Sequence, residues 1–196
     1  MEPLLPLIVG YGLGSLPLGY LVANRLKGID LRRVGSGNVG ATNAYRSAGL
    51  ALAIIVVLVD VAKGASSVMI TARVTSGTTA PVAAGVAAII GHAYPVWLRF
   101  QGGKGVATAC GVFWTLAPVA TAIAAGSFLV VVWITRYVSM GSVVATALLP
   151  PVAWITNEPV PVVTGAAVTA MLVILRHRSN LVRLRAGTER RLGHKA

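Results

Sequence analysis

Acidic residues are nearly missing from this chain. Asp and Glu number 5 in 196 residues, against 17 Lys and Arg. The five stand far apart, at Glu2, Asp30, Asp60, Glu158 and Glu189. Without a carboxylate cluster there is no oxygen-rich cage for Mg²⁺, which excludes transferases of the CDP-alcohol and polyprenyl-phosphate kind. One cysteine, Cys110 in an apolar run, rules out a disulfide framework or a cysteine metal site and is expected to pack. None of the three His stands five residues before an Asp, so a His-x-x-x-x-Asp acyltransfer dyad is absent. No Ser or Cys elbow with a His/Asp partner is visible either. Any chemistry here works with few general bases and is expected to need no metal or cofactor.

Charged residues as a whole make up 11% of the chain, where a soluble domain carries about 25%. Lipid is therefore the expected solvent. The net charge of +12 would suggest nucleic acid in a soluble protein. Here it lies in the flanks of apolar segments, where it sets topology and meets anionic headgroups. The tail after residue 176 contains no aromatic residue, unlike an aromatic-interleaved nucleic-acid surface, and no nucleic-acid partner is expected.

Apolar segments fall at about 3–24, 49–71, 80–98, 105–117, 119–135, 141–156 and 159–175. A span needs about 20 residues. The 105–135 stretch is too long for one ordinary helix, and Pro118 divides it. The last two segments are short, and Pro150-Pro151 is expected to kink the sixth. With seven spans, every basic residue except Arg73 and Lys63 falls on one side, which the positive-inside rule makes cytoplasmic. Six spans would place the basic tail, from Arg176 to Lys195, outside; five would keep the parity. The expected fold is an all-α integral membrane protein: a polytopic bundle of about seven transmembrane helices, one domain over 1–196. Met1-Glu2-Pro3 lacks the basic n-region of a signal peptide. The first span is thus expected to be retained, with the N-terminus outside and the C-terminus cytoplasmic. The 105–117 segment can also be re-entrant, since irregular backbone is tolerated where protein buries it. Small residues in the spans, as at Gly85, Ala124 and Gly165, suit close helix packing.

Three cationic, polar segments interrupt the apolar chain. In the first, 35–46, Gly35, Gly37 and Gly40 permit tight turns, and Ser36, Asn38, Thr42 and Asn43 supply short donors and acceptors. Arg46 adds a planar bidentate cation. The second, 99–105, sets Lys104 in the glycine run Gly102, Gly103 and Gly105, ahead of Thr108. It fails the P-loop pattern, because Leu98 stands where the first Gly belongs and Gly105 follows the Lys. It still presents a cation at a helix start, whose free N–H groups favour an anion. The third, 176–183, holds Arg176, His177, Arg178, Asn180 and Arg183, with His177 near Asn180 and Asn180 near Arg183 at helical spacing. Fixed positive charge beside amide and backbone donors suits phosphate. Arg190, Arg191 and Lys195 are expected to serve topology and lipid contact. Asp60 and Lys63, three apart within a span, can satisfy each other, and His92 is expected to be a packed, hydrogen-bonded residue. A transporter for an organic phosphate would gather its polar groups near the midplane, which here offers only Asp60 and Lys63.

Nearly end to end, the chain resembles the bacterial acyl-phosphate:glycerol-3-phosphate acyltransferases (PlsY family). The resemblance rests on Ser15-Leu-Pro-Leu-Gly19, Gly28-Ile-Asp30, the 35–46 loop, Asp60-x-x-Lys63-Gly64, Gly91-His92, Pro95, Gly102–Thr108, His177-Arg178-x-Asn180, Arg183-Leu184 and Gly187-x-Glu189. Ser179 stands where many members carry Glu, and Trp97 where another apolar residue is common. The resemblance implies acyl transfer from acyl phosphate to the 1-hydroxyl of glycerol 3-phosphate, giving lysophosphatidate and inorganic phosphate, at the cytoplasmic face of the bacterial plasma membrane. It implies Ser36, Arg46, Lys104, His177 and Asn180 as catalytic residues. Gly37, Asn38, Gly40, Thr42, Asn43, Gly102, Gly103, Gly105, Thr108, Arg178 and Arg183 would line the substrates. A monomer in lipid is expected.

Overall fold

The computed structural model describes residues 4–193; the expectations for Met1-Glu2-Pro3 and Lys195 lie outside them. Ten α-helices and no strand occur among the described residues. They are α1 (Leu4–Ser15), α2 (Leu18–Lys27), α3 (Ala41–Ala48), α4 (Leu50–Val74), α5 (Thr79–Ala93), α6 (Val106–Leu116), α7 (Pro118–Thr135), α8 (Val138–Ile155), α9 (Val160–Arg176) and α10 (Arg178–Arg185). A 3₁₀ turn at Val96–Leu98 follows α5.

Each of the seven apolar segments contains helix. Five stretches are long and apolar enough to cross a bilayer: Leu4–Lys27, α4, Thr79–Leu98, α7 and α8. The first is broken at Pro17, which lacks the N–H a continuous helix needs. α9 passes only together with α10, from which it bends by 57°. The 11 residues of α6 reach roughly 17 Å at helical rise, well short of a hydrocarbon core of about 30 Å. The 105–117 segment is therefore too short to cross as a helix alone. The break at Pro118 occurs as expected, with Pro118 opening α7. Pro150 and Pro151 do not interrupt α8, which continues through both to Ile155.

Small residues bring the helices together. A Cβ at Gly10 or Gly14 of α1 would collide with the backbone of Ala84 or Ala88 on α5. Gly64 of α4 and Gly111 of α6 face each other's helices in the same way, against Thr108 and Val61. Such contacts hold helices where lipid removes the hydrophobic drive to associate. The main core runs from Val68 and Val82 through Phe113 to Leu149 and Val162, and a smaller one joins Leu31, Ala44, Leu52 and Val56 beneath the first loop. Hydroxyls inside the spans donate to carbonyls one turn back, as Thr71 to Ser67 (2.9 Å) and Thr146 to Ser142 (2.6 Å). That satisfies them without water. Trp133, at 79% exposed, and Ile155, at 73%, mark surfaces suited to lipid rather than water.

Candidate active site

The three cationic segments meet at one end of the bundle. In the first loop, Asn43 in the first turn of α3 is a structural peg. It is buried, its Nδ2 donates to the carbonyls of Leu31 (2.9 Å) and Val34 (3.1 Å), and its Oδ1 accepts from Ser36 N–H (2.9 Å). Asn38 Oδ1 accepts from Gly40 N–H (2.9 Å), turning the chain into α3. Gly35 and Gly37 adopt the left-handed conformation (φ 59° and 71°). The polar density of this loop thus divides. Asn38 and Asn43 build it, whereas the Ser36 and Thr42 hydroxyls make no hydrogen bond among the described residues and remain available. Arg46, in the last turn of α3, donates from Nη2 to the Arg190 carbonyl (3.1 Å), while its buried Nε has no partner. No carboxylate pairs with it among the described residues. Burial pushes its guanidinium below the usual value.

The second loop is held from both sides. Gly102 and Gly103 N–H donate back to the Ala93 (3.3 Å) and His92 (3.1 Å) carbonyls at the end of α5. Their own carbonyls accept from Arg176, whose Nε and Nη2 reach Gly103 O at 3.2 and 3.0 Å and whose Nη2 reaches Gly102 O at 3.1 Å. A Cβ at Gly103 would overlap the His92 ring, and one at Gly102 the His92 carbonyl, so glycine is required there by close approach. Gly105 turns the chain into α6 at φ 85°. None of the N–H groups from Lys104 to Thr108 has an acceptor among the described residues. The anion-binding potential therefore lies in these groups at the α6 start, not in the engaged Gly102 and Gly103 N–H groups. Thr108 is buried with its hydroxyl unpaired.

Lys104 reaches into the third segment, donating to Asn180 Oδ1 at 2.6 Å. Burial lowers its ammonium to about 8; Arg183, Arg46 and Arg176 push the same way and Glu189 opposes them. Asn180 passes the contact on, donating from Nδ2 to Glu189 Oε1 at 2.6 Å. Glu189 also accepts from Ser139 Oγ (2.8 Å) and, through Oε2, from Arg183 Nε (2.7 Å). These donors hold the carboxyl below its ordinary value despite burial. The expected neighbourhood of Asn180 and Arg183 is thus real and runs through Glu189. His177, at the bend between α9 and α10, is buried and has no hydrogen bond to Asn180 among the described residues. Its Nδ1 lies 2.8 Å from the Val173 carbonyl. A carbonyl only accepts, so Nδ1 carries the proton and Nε2 is left as an acceptor. Burial, then Lys104, lowers the imidazole to about 4. Arg178 is exposed and joins none of these contacts.

Glu189 was not singled out chemically from the sequence. The available signal was its rarity, as one of five acids among many cations. Arg176 stood out only as one cation of the third segment, and Ser139 gave no signal. Arg190 and Arg191 do more than face lipid: Arg190 supplies a carbonyl to Arg46, and Arg191 lies over the Tyr137 ring, 5.4 Å from its centroid. Beneath the glycine loop, Lys63 donates to Asp60 (2.9 Å) and to His92 Nδ1 (2.8 Å), all three buried. The pair satisfies itself as expected, and His92 is the packed residue on which Gly103 rests.

The glycerol-3-phosphate acyltransferase family model matches residues 4–187. A glycerol-3-phosphate acyltransferase of Synechococcus sp. (strain CC9902) is 46% identical over 196 residues, covering 100% of this chain and 98% of the relative. That of Parasynechococcus marenigrum (strain WH8102) is 47% identical, covering 100% and 92%. Two crystal structures of PlsY, an integral membrane glycerol 3-phosphate acyltransferase, superpose on this chain. The glycerol 3-phosphate form has a TM-score of 0.92 at 39% identity, covering 98% of this chain and 96% of that one. The lysophosphatidic acid form has a TM-score of 0.91 at 37% identity. The all-helical architecture described above is therefore that of an integral membrane protein, and the chain belongs to the glycerol-3-phosphate acyltransferase (PlsY) family.

Proposed function

We propose that this chain transfers a fatty acyl group from acyl phosphate to the 1-hydroxyl of glycerol 3-phosphate, releasing 1-acyl-glycerol 3-phosphate and inorganic phosphate. The observation that carries this reading is the meeting of Arg46 and Lys104 around unpaired donors: the buried Arg46 Nε and the free N–H groups from Lys104 onward. Both substrates bring phosphate to such a site. Family membership and the two liganded PlsY structures agree with it.

The step needs no covalent enzyme intermediate. The 1-hydroxyl oxygen attacks the acyl carbonyl carbon. The bond from that carbon to the phosphate oxygen breaks, and phosphate leaves with its electron pair. The hydroxyl proton passes to a substrate phosphate oxygen. An acyl phosphate is already activated, so positioning and charge neutralisation supply the catalysis. Lys104, Arg46 and the α6 start hold the phosphates. Ser36, Thr42 and Asn180 orient the hydroxyl and the carbonyl, within the loop that Gly37, Asn38, Gly40 and Asn43 shape. Glu189 fixes Asn180 and Arg183.

Two features weigh against His177 as the general base. An imidazole lowered to about 4 accepts a proton poorly near neutrality, where catalysis favours a matched pKa. A phosphate monoester, with its second pKa near 6, is better matched. His177 Nε2 instead serves as a neutral acceptor that orients a substrate hydroxyl.

The basic segments share one end of the bundle, and the positive-inside rule puts that end in the cytoplasm of a bacterial plasma membrane, with the C-terminus. In lipid, a monomer supplies every residue named. The experiment is to incubate the purified chain with palmitoyl phosphate and glycerol 3-phosphate and identify the products. Lysophosphatidate and phosphate in equal amounts are expected. No product across several acyl-phosphate chain lengths, in a folded sample, would overturn the reading.

A further inference from the structure

Arg176 ends α9, yet its guanidinium leaves its own helix and bonds the two glycine carbonyls of the 99–105 loop. Its Cζ lies over the Tyr94 ring, 4.9 Å from the centroid, so the stem and plane are fixed on the α5 side as well. The same two residues bond through their N–H groups to the Ala93 and His92 carbonyls. Gly102 and Gly103 thus have donors and acceptors engaged from opposite sides. Glycine pairs are otherwise the most mobile backbone available, and Lys104 is the next residue. Its direction, and that of the free N–H groups behind it, depends on the 103–104 peptide plane. The oxygen of that plane is Gly103 O, which receives two of the three Arg176 bonds.

We propose that Arg176 is a positioning residue for the acyl transfer. Its forked donors clamp the Gly102 and Gly103 carbonyls, so that Lys104 and the start of α6 are pre-set to receive a substrate phosphate. This rests on the phosphate-binding reading of Lys104 given above. Arg176 itself meets no reacting atom. Its loss widens the range of loop conformations and weakens binding of the phosphate substrate, while turnover at saturation falls less.

The test compares Arg176→Lys, Arg176→Gln and Arg176→Leu with wild type and Lys104→Ala, each checked for its thermal midpoint in detergent. Phosphate release is followed against glycerol 3-phosphate and against palmitoyl phosphate separately. The expected result is a KM for one of them raised about 10-fold or more in the Leu variant, with kcat changed by less. The Gln variant, which keeps neutral donors, should fall between Leu and wild type. The Lys variant, which keeps charge but loses the fork, should recover only part of the loss. A folded Leu variant with both KM values within twofold of wild type would overturn the clamp. So would a Gln variant as impaired as Leu beside an intact Lys variant, because the cation would then act through its field alone. A drop confined to kcat overturns it too. Lys104→Ala separates the two readings: if it stays active, the phosphate-binding reading has failed; if it is inactive while Arg176→Leu is normal, only the clamp has.

Discussion

Lys104 carries the most testable chemistry of any single residue. Burial and neighbouring arginines bring its ammonium to about 8, so it loses its proton as pH rises through that value in the free enzyme. The expected profile of kcat/KM falls above pH about 8, and Lys104→Arg carries that limb to higher pH. The acidic limb should belong to substrate phosphate, with a pKa near 6, and survive in His177→Gln with kcat near normal. A large loss of kcat and of the acidic limb in that variant would restore His177 as the base. Glu189 is the second such residue. Its Ala variant strands Asn180, Arg183 and Ser139, at a cost of about 1–3 kcal/mol that a thermal-unfolding midpoint should register as a clear drop. Because the folded carboxyl sits below its ordinary 4.5, this support is complete above that pH. It disappears as pH falls through the lower folded value. The sequence made Lys104 and Arg46 legible, because cations beside glycines and amides have few other uses. It named Arg176 in the third segment and Glu189 in the family motif but hid what they do, which depends on contacts across the fold, from Glu189 to Ser139 on α8 and from Arg176 to the 102–103 loop.

Among elements, the glycine loop and α6 act as one unit. Gly103→Ala would press a methyl into the His92 ring and displace the loop on which Lys104 sits. A raised KM for a phosphate substrate is expected, several-fold or more, with the Asp60–Lys63–His92 cluster left to resist the shift. An unchanged KM in steady-state phosphate release would show that the loop's position is immaterial. The helical segments themselves were legible from apolar length and from Pro118. Their ends were less so. α6 is one residue shorter than its apolar run at each end, where Gly105 and Ala117 cap it. α8 runs without interruption through Pro150 and Pro151, which both lie within its last two turns. The donation from Gly102 and Gly103 N–H to the α5 carbonyls could not be seen in sequence, since backbone bonds leave no residue signature.

For the whole molecule, the question is which way the bundle faces. The end carrying Arg46, Lys104 and Arg183 should be cytoplasmic, and the turns at Gly77 and Asn157 should face outward. With Cys110 replaced by Ala, single cysteines at Gly77 or Asn157 should react with a membrane-impermeant thiol reagent in intact cells. One at Arg185 should react only after the membrane is opened; the reverse pattern would invert the topology. The charge distribution predicts that orientation, and Lys104–Asn180 and Arg176–Gly103, with Arg46 bonded to Arg190 in the tail beyond the third segment, gather the segments at one end. The central claim is that these segments form one phosphate-handling centre for acyl transfer. It is tested most directly by phosphate release from palmitoyl phosphate, with and without glycerol 3-phosphate, for wild type beside Lys104→Ala in the same lipid preparation. Release should depend on glycerol 3-phosphate and fall by about 10²-fold or more in the variant, as for loss of a donor to transition-state charge. A Lys104→Ala protein that releases phosphate at the wild-type rate would contradict it.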